Sequence, residues 1–300
     1  MILFALPALE HLAKALESLP HVQRGHFSIE RFANRELHAA IDTPPAGATC
    51  LVLGSVAPPD EQLLSALLLS HTLRKEGARR VIALLPYLGY ARGDRSEPGK
   101  SLTTAWVGQL LQASGVAEVV TVDLHSPLAH QLFPIPVRSL SPAEIFADAL
   151  TSLQLTDATI VAPDEGALER CEAVRTAAGI RRPLAHFTKK RTQEGVIHST
   201  LHGTASSHVV LVDDILDTGG TLLSACEALQ RLSVEEIIIM ATHGLFTGSR
   251  WERLWSLGVT RIYCADSVPP PQTLSMSSRI VVPSVAPLLV DFLNNLAPCR

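Results

Sequence analysis

The chain has 300 residues, a formal net charge of −4, and 47% apolar but only 5% aromatic residues; at roughly 100–200 residues per domain this suggests about two domains. No basic stripe with interleaved aromatics is present to coat nucleic acid, and no apolar run is long enough for a membrane span. Five widely spaced cysteines, Cys50, Cys171, Cys226, Cys264 and Cys299, without a C-x-x-C pair, exclude a disulfide framework and a structural zinc site, so a reducing, cytoplasmic setting is expected.

Apolar residues 1–6 lack a basic leader and read as the first strand and helix entry rather than a signal peptide. Strand 50–54 is followed by helix 60–76, with Leu63, Leu64, Leu67 and Leu68 at helical spacing and Gly77 closing it. Strand 81–85, helix 101–114, strand 118–123, helix 142–153 and strand 158–162 come next, the last entering the turn Pro163-Asp164-Glu165-Gly166. Helix 167–178, strand 183–187 and a long polar stretch over 189–207 lead to strand 209–212 and a helix repeating Leu222, Leu223, Cys226, Leu229 and Leu232. Strands 236–241 and 260–264 flank a helix carrying Trp251 and Trp255, and helix 285–296 ends the chain. Alternation of this kind predicts an α/β protein of mainly parallel sheets flanked by helices, with ligands at the carboxyl ends of strands. A faint echo between 119–123 and 209–213 fits two similar halves, 1–141 and 142–300.

The most informative stretch is Val209-Val210-Leu211-Val212-Asp213-Asp214-Ile215-Leu216-Asp217-Thr218-Gly219-Gly220-Thr221. A buried strand ends in two acids and a Thr-Gly-Gly-Thr turn that opens a helix. Glycines let the backbone approach an anion, the helix amides and dipole attract it, and Thr218 and Thr221 add hydroxyl donors. Asp213 and Asp214 would repel a bare phosphate, so they suit sugar hydroxyls or a hard cation. A monophosphate beside vicinal hydroxyls describes ribose 5-phosphate.

Other strand ends carry polar clusters. His125 in Asp123-Leu124-His125 suits a cation or a phosphate, Asp164 is a hard oxygen ligand for Mg²⁺, and the segment 86–95 offers Tyr87, Tyr90, Arg92, Asp94 and Arg95 for a nucleotide's ring and phosphates. Phe32 and Glu36 in Arg31-Phe32-Ala33-Asn34-Arg35-Glu36 offer a stacking face and an acceptor.

Taken in order over nearly the whole chain, these segments resemble the ribose-phosphate diphosphokinase family: PYxxYARxDR at 86–95, DLH at 123–125, PDxG at 163–166, the ribose-phosphate loop at 213–221, RFxxxE at 31–36 and a lysine-arginine loop at Lys189-Lys190-Arg191. The resemblance implies two phosphoribosyltransferase-like half-domains, an ATP side in 1–141 and a ribose 5-phosphate side in 142–300, with the last helix returning to the first half. It implies ribose 5-phosphate held by Asp213, Asp214, Asp217, Thr218, Gly219, Gly220 and Thr221, ATP held by Phe32, Asn34, Glu36, Arg92, Asp94 and His125, and Mg²⁺ positioned by His125 and Asp164. Lys189 and Arg191 would close over the phosphates as catalytic cations. It also implies a homo-oligomer, dimer or hexamer, with ATP and ribose 5-phosphate as its partners.

Asn34 stands where this family usually has Asp, Gly93 where it usually has an amide side chain, and 96–100 where a more basic run is usual. Two rival readings differ in class. A regulatory paralogue without activity would usually have lost part of the acid pair or phosphate loop, and a nucleobase phosphoribosyltransferase would not need the Tyr-Ala-Arg and Asp-Leu-His segments.

Overall fold

The computed structural model describes residues 1–192, 195–269, 271, 274 and 277–296, and for 189–192 and 195–199 the backbone alone. The chain forms two compact units, Met1–Leu140 joined by the C-terminal segment from Val285, and Ser141–Ser284.

In the first unit β1 (Ile2–Ala5), β2 (Gln23–Arg24), β5 (Thr49–Leu53), β6 (Arg80–Leu84), β7 (Glu118–Val122) and β8 (Val137–Leu140) form one sheet in the order β2-β1-β5-β6-β7-β8, every pair parallel. All residues of β5 and β7 are buried, as strands covered on both faces must be. Helices α1 (Glu10–Glu17), α2 (Glu61–Lys75), α3 (Thr103–Ala113) and α4 (Leu128–Leu132) connect them. The buried face of α2 is Leu63, Ala66, Leu69, Ser70 and Leu73, whereas Leu64 is exposed. Leucines surround this helix, so the predicted grouping at 63, 64, 67 and 68 picked a face rotated from the real one. A separate antiparallel hairpin, β3 (Phe27–Arg31) and β4 (Leu37–Ile41), runs in register from Phe27↔Ile41 to Arg31↔Leu37.

The second unit contains β9 (Thr159–Ala162), β10 (Ala185–Thr192), β11 (Gly195–His202), β12 (His208–Leu216), β13 (Glu236–Gly244), β14 (Val259–Cys264) and β15 (Ile280–Val281), ordered β11-β10-β9-β12-β13-β14-β15. Among the described strand pairs of this sheet only β10–β11 is antiparallel. The stretch that reads as a polar loop over 189–207 is thus largely a hairpin, paired from His186↔His202 to Thr192↔Gly195 with a register shift at Thr188/Lys189. Helices α5 (Ala143–Ser152) and α6 (Leu168–Ala177) cover one face, packing Phe146, Leu150, Cys171 and Val174 on Ile160, Val210, Val212 and Met240. Helix α7 (Gly220–Gln230) covers the other, with Leu222, Leu223, Cys226 and Leu229 on Leu211, Ile237 and Ile239.

The predicted helix around Trp251 and Trp255 is a run of 3-10 turns over Arg250–Leu257, ended by Gly258 at φ +81°. Its indoles are fixed by packing rather than by helix propensity: Trp251 meets the Phe246 ring edge-on at 5.0 Å, and the Arg279 guanidinium lies 4.0 Å above Trp255. The final helix, α8 (Ala286–Asn295), packs against α1 within the first unit. There Phe292 receives the Arg138 guanidinium at 5.6 Å.

Candidate active site

Strand β12 lies between β9 and β13, and its carboxyl end carries the two acids. Asp214 is 6% exposed, and its amide donates to the Asp213 carboxylate at 2.9 Å. The loop that follows is held from two sides. The Leu216 carbonyl accepts the N–H groups of Leu245 (2.8 Å) and Phe246 (3.1 Å). Gly219 takes φ +81°, and a Cβ there would stand 3.0 Å from the Cα and Cβ of Trp251, so only glycine meets both the left-handed backbone and the close approach. Leu223 N–H then bonds the Gly219 carbonyl at 2.8 Å and starts α7. Around Gly220 nothing lies within 4 Å of where a Cβ would sit. The result is a rigid, open cradle at a helix N-terminus, flanked by half-buried Asp217 and Thr221 and exposed Thr218, suited to a phosphate.

The Asp213 carboxyl titrates well above the ordinary carboxylate range, chiefly because burial disfavours its charge and then because Asp214 repels it; Asp164 adds to the rise and Arg170 opposes it. Asp164 follows β9, the strand paired beside β12 through Val161↔Leu211, and its charge is felt by Asp213. Arg170, on the first turn of α6, is a member of this pocket that sequence reasoning missed. Its only advance signal is its place six residues beyond Asp164. Carboxylate oxygens are the donors a hard cation prefers, and Mg²⁺ commonly takes one or two carboxylates and leaves its other positions to water and substrate phosphate. Among the described residues no three His, Cys, Asp or Glu side chains are grouped as metal ligands.

In the first unit the neighbouring strands β6 and β7 send the 86–95 and 123–125 segments to one edge. The Pro86 carbonyl accepts the Val122 N–H at 3.1 Å and the Thr121 hydroxyl at 3.3 Å, locking the two strand ends together. Asp123 turns at φ +47°, its N–H bonded to the Leu140 carbonyl at 2.9 Å, and the Leu124 N–H donates to Ser139 Oγ at 2.9 Å. His125 and Arg92 are exposed along this edge and Asp94 is half-buried. The 86–95 segment winds around the Tyr90 carbonyl, which accepts the hydroxyls of Thr103 (2.8 Å) and Thr104 (3.1 Å).

Phe32, Asn34 and Glu36 sit at the tip of the β3–β4 hairpin. Phe32 is 55% exposed and lies 5.1 Å from the His38 ring. Asn34 Oδ1 accepts the Glu36 N–H at 3.1 Å and Phe32 N–H bonds the Glu36 carbonyl at 2.9 Å, which fixes the tip. The hairpin is moored to α2, since Arg31 pairs with Glu61 at 2.8 Å. Lys189 and Arg191 belong to β10 by their backbone, and their side chains lie outside the described residues.

Residues 1–115 match the N-terminal domain of ribose phosphate pyrophosphokinase, and residues 130–255 match the phosphoribosyl transferase domain. A ribose-phosphate pyrophosphokinase of Bacillus caldolyticus is 31% identical over 298 residues, covering 98% of this chain and 94% of that protein. The chain belongs to the ribose-phosphate pyrophosphokinase family. The family member from Campylobacter jejuni is 30% identical, over 93% of this chain and 89% of its own. The crystal structure of phosphoribosylpyrophosphate synthetase from Mycobacterium smegmatis superimposes with a TM-score of 0.86 at 27% identity, covering 98% of this chain and 97% of that one. The family's fold of parallel-sheet domains flanked by helices is the fold described above.

Proposed function

We propose that this chain transfers the diphosphoryl group of MgATP to the anomeric hydroxyl of ribose 5-phosphate, giving phosphoribosyl diphosphate and AMP. The observation that carries the reading is the cradle at 213–221, where a buried Asp214 and a half-buried Asp213 adjoin an open anion site shaped by Gly219 and Trp251. A sugar phosphate is the ligand that uses both: hydroxyls donate to Asp213, Asp214 and Asp217, and the phosphate accepts from the backbone and from Thr218 and Thr221.

In this reading Phe32, Asn34, Glu36, Arg92, Asp94 and His125 bind ATP, and Asp164 and His125 are the residues proposed to contact Mg²⁺. The ion, when bound, neutralises charge on the transferring phosphates. The anomeric oxygen forms its bond to the β-phosphorus and releases its proton to solvent as the bond from β-phosphorus to the α,β-bridging oxygen breaks, and AMP leaves with that oxygen. Negative charge on the equatorial oxygens is the main demand of such a transfer, and Lys189 and Arg191 are proposed to meet it as a cationic clamp. Assembly as a homo-oligomer belongs to the same proposal.

The test is to incubate the pure protein with MgATP and ribose 5-phosphate and follow AMP and phosphoribosyl diphosphate. Equal formation of both is expected. No product, with ribose 5-phosphate binding retained, would replace the proposal with a regulatory paralogue.

A further inference from the structure

One face of the β10–β11 hairpin turns Phe187 and Leu201 into the apolar core. Side chains alternate along a strand, so His186 and His202 fall on the opposite face. They are direct cross-strand partners, and their imidazoles stack with centroids 4.9 Å apart and planes 16° from parallel. His186 is half-buried and His202 exposed, so solvent ions reach the pair. The backbone beneath it is firmly set: Ala185 and His186 pair with Val161 and Ala162 of β9. On the other strand Gly203 turns at φ +99°, with the place of its absent Cβ 3.1 Å from Ala185.

Two imidazoles held opposite one another across an antiparallel pair are a ready bidentate chelator. Metal–nitrogen bonds of about 2.0–2.1 Å at a tetrahedral angle bring the two nitrogens to about 3.3 Å, and modest turns about the broad terminal torsions of two stacked rings supply that approach. We propose that His186 and His202 bind one borderline divalent ion of the zinc and copper class, clasping the base of the hairpin whose backbone carries Lys189 and Arg191. Imidazole selects such ions over Mg²⁺, so this site is chemically separate from the one proposed for the reaction. With two protein ligands and no third His, Cys, Asp or Glu grouped with them among the described residues, water completes the coordination and the ion exchanges. Ion binding stands independently of the proposed reaction; its consequence for Lys189 and Arg191 rests on that reading.

The experiment titrates the full-length chain with Zn²⁺ against a chromophoric chelator and then follows amide hydrogen exchange with and without the ion. Saturable binding is expected, weakened at least about tenfold, or about 1.4 kcal/mol, in His186→Ala, in His202→Ala and in the polar variant His202→Gln, but unchanged in His130→Ala, an exposed histidine elsewhere. Exchange in 185–202 is expected to slow on Zn²⁺ addition. Absence of saturable binding, or binding that survives either histidine substitution, overturns the site. Binding that leaves exchange unaltered overturns the clasp.

Discussion

The Tyr90 phenol donates a hydrogen bond to the Asp60 carboxylate, and this contact joins the segment after β6 to the N-terminus of α2. The next residue on α2, Glu61, holds Arg31 at 2.8 Å. Hairpin tip, helix start and the Arg92 segment are therefore one linked surface, although Phe32 and Arg92 lie about sixty positions apart in sequence. Tyr90→Phe is expected to lose at most about 1 kcal/mol of stability while raising the KM for ATP several-fold and leaving the KM for ribose 5-phosphate unchanged. The hydrogen bond to Asp60 is also the main reason the phenol's pKa is raised above 10.0. A raised folded pKa means that its contribution is complete below the ordinary phenol value and fades as pH rises through the higher one, above about 10. Thermal unfolding of the two chains compared across that range checks the sign.

Gly93 looks like a lost side chain when set against its family, yet a Cβ there would overlap Thr103 Oγ1. The Thr104 N–H reaches the Gly93 carbonyl at 3.2 Å, and the Thr103 hydroxyl occupies the space while bonding the Tyr90 carbonyl, which the Thr104 hydroxyl also reaches. Gly93→Ala is expected to destabilise by about 1–3 kcal/mol through overpacking and to weaken ATP. The double change Gly93→Ala with Thr103→Ala should recover much of the stability. Non-additivity measured in this two-site cycle decides it, since independent effects would leave the double variant worse than either single one.

What was legible in the sequence is what is built from consecutive residues. The cradle needs a strand end, acids, glycines and hydroxyls in one short run, so 209–221 reads directly. Arg170 does not, because its relation to Asp213 exists only once α6 has folded against β12. The β10–β11 hairpin was hidden for another reason. The sequence over 189–200 is mostly polar or charged, so no period-2 apolar signal marks it as strand. Trp251 reads as part of a helix, whereas its Cα and Cβ are the wall that a side chain at position 219 would meet. At Gly93 the group that fills the space is Thr103, ten residues on.

Gly219 and Gly220 separate structure from binding. Gly219→Ala forces a Cβ against Trp251 at φ +81° and is expected to cost about 1–2 kcal/mol and raise the KM for ribose 5-phosphate at least about tenfold. Gly220 begins α7 with open space around it, so Gly220→Ala should hold or raise the melting temperature and still weaken ribose 5-phosphate, because the added methyl enters the place assigned to the phosphate. Unchanged ribose 5-phosphate affinity in Gly220→Ala would remove the phosphate from this cradle.

Lys189→Ala and Arg191→Ala are each expected to lower kcat by at least about a hundredfold, or about 2.7 kcal/mol of transition-state stabilisation, with little change in the Kd of ATP. Pre-steady-state measurement separates the two quantities. A large loss of ATP affinity at unchanged turnover would make these residues binding groups and leave the transferring phosphoryl oxygens to other donors.

Asp213 trades stability against function. Its carboxyl is raised well above the ordinary value by burial first and by the neighbouring Asp214 charge second, so the folded state binds this proton more tightly than the unfolded chain. The associated stability is complete below the unfolded value of about 3.9 and is lost as pH rises through the raised folded value. Above the ordinary carboxylate range the unfolded chain has lost this proton, and the folded state must either retain it or set an ionised Asp213 against Asp214 and Asp164, so Asp213→Asn should raise the melting temperature there. The gain should shrink toward about pH 4, where the native carboxyl is already protonated. Turnover should fall sharply, because an amide cannot replace a carboxylate that accepts sugar hydroxyls or faces a cation. Calorimetry of both chains from acid to neutral pH tests the sign: a melting temperature lowered at neutral pH would mean that ionised Asp213 is a net stabiliser, with Arg170 outweighing its two acidic neighbours.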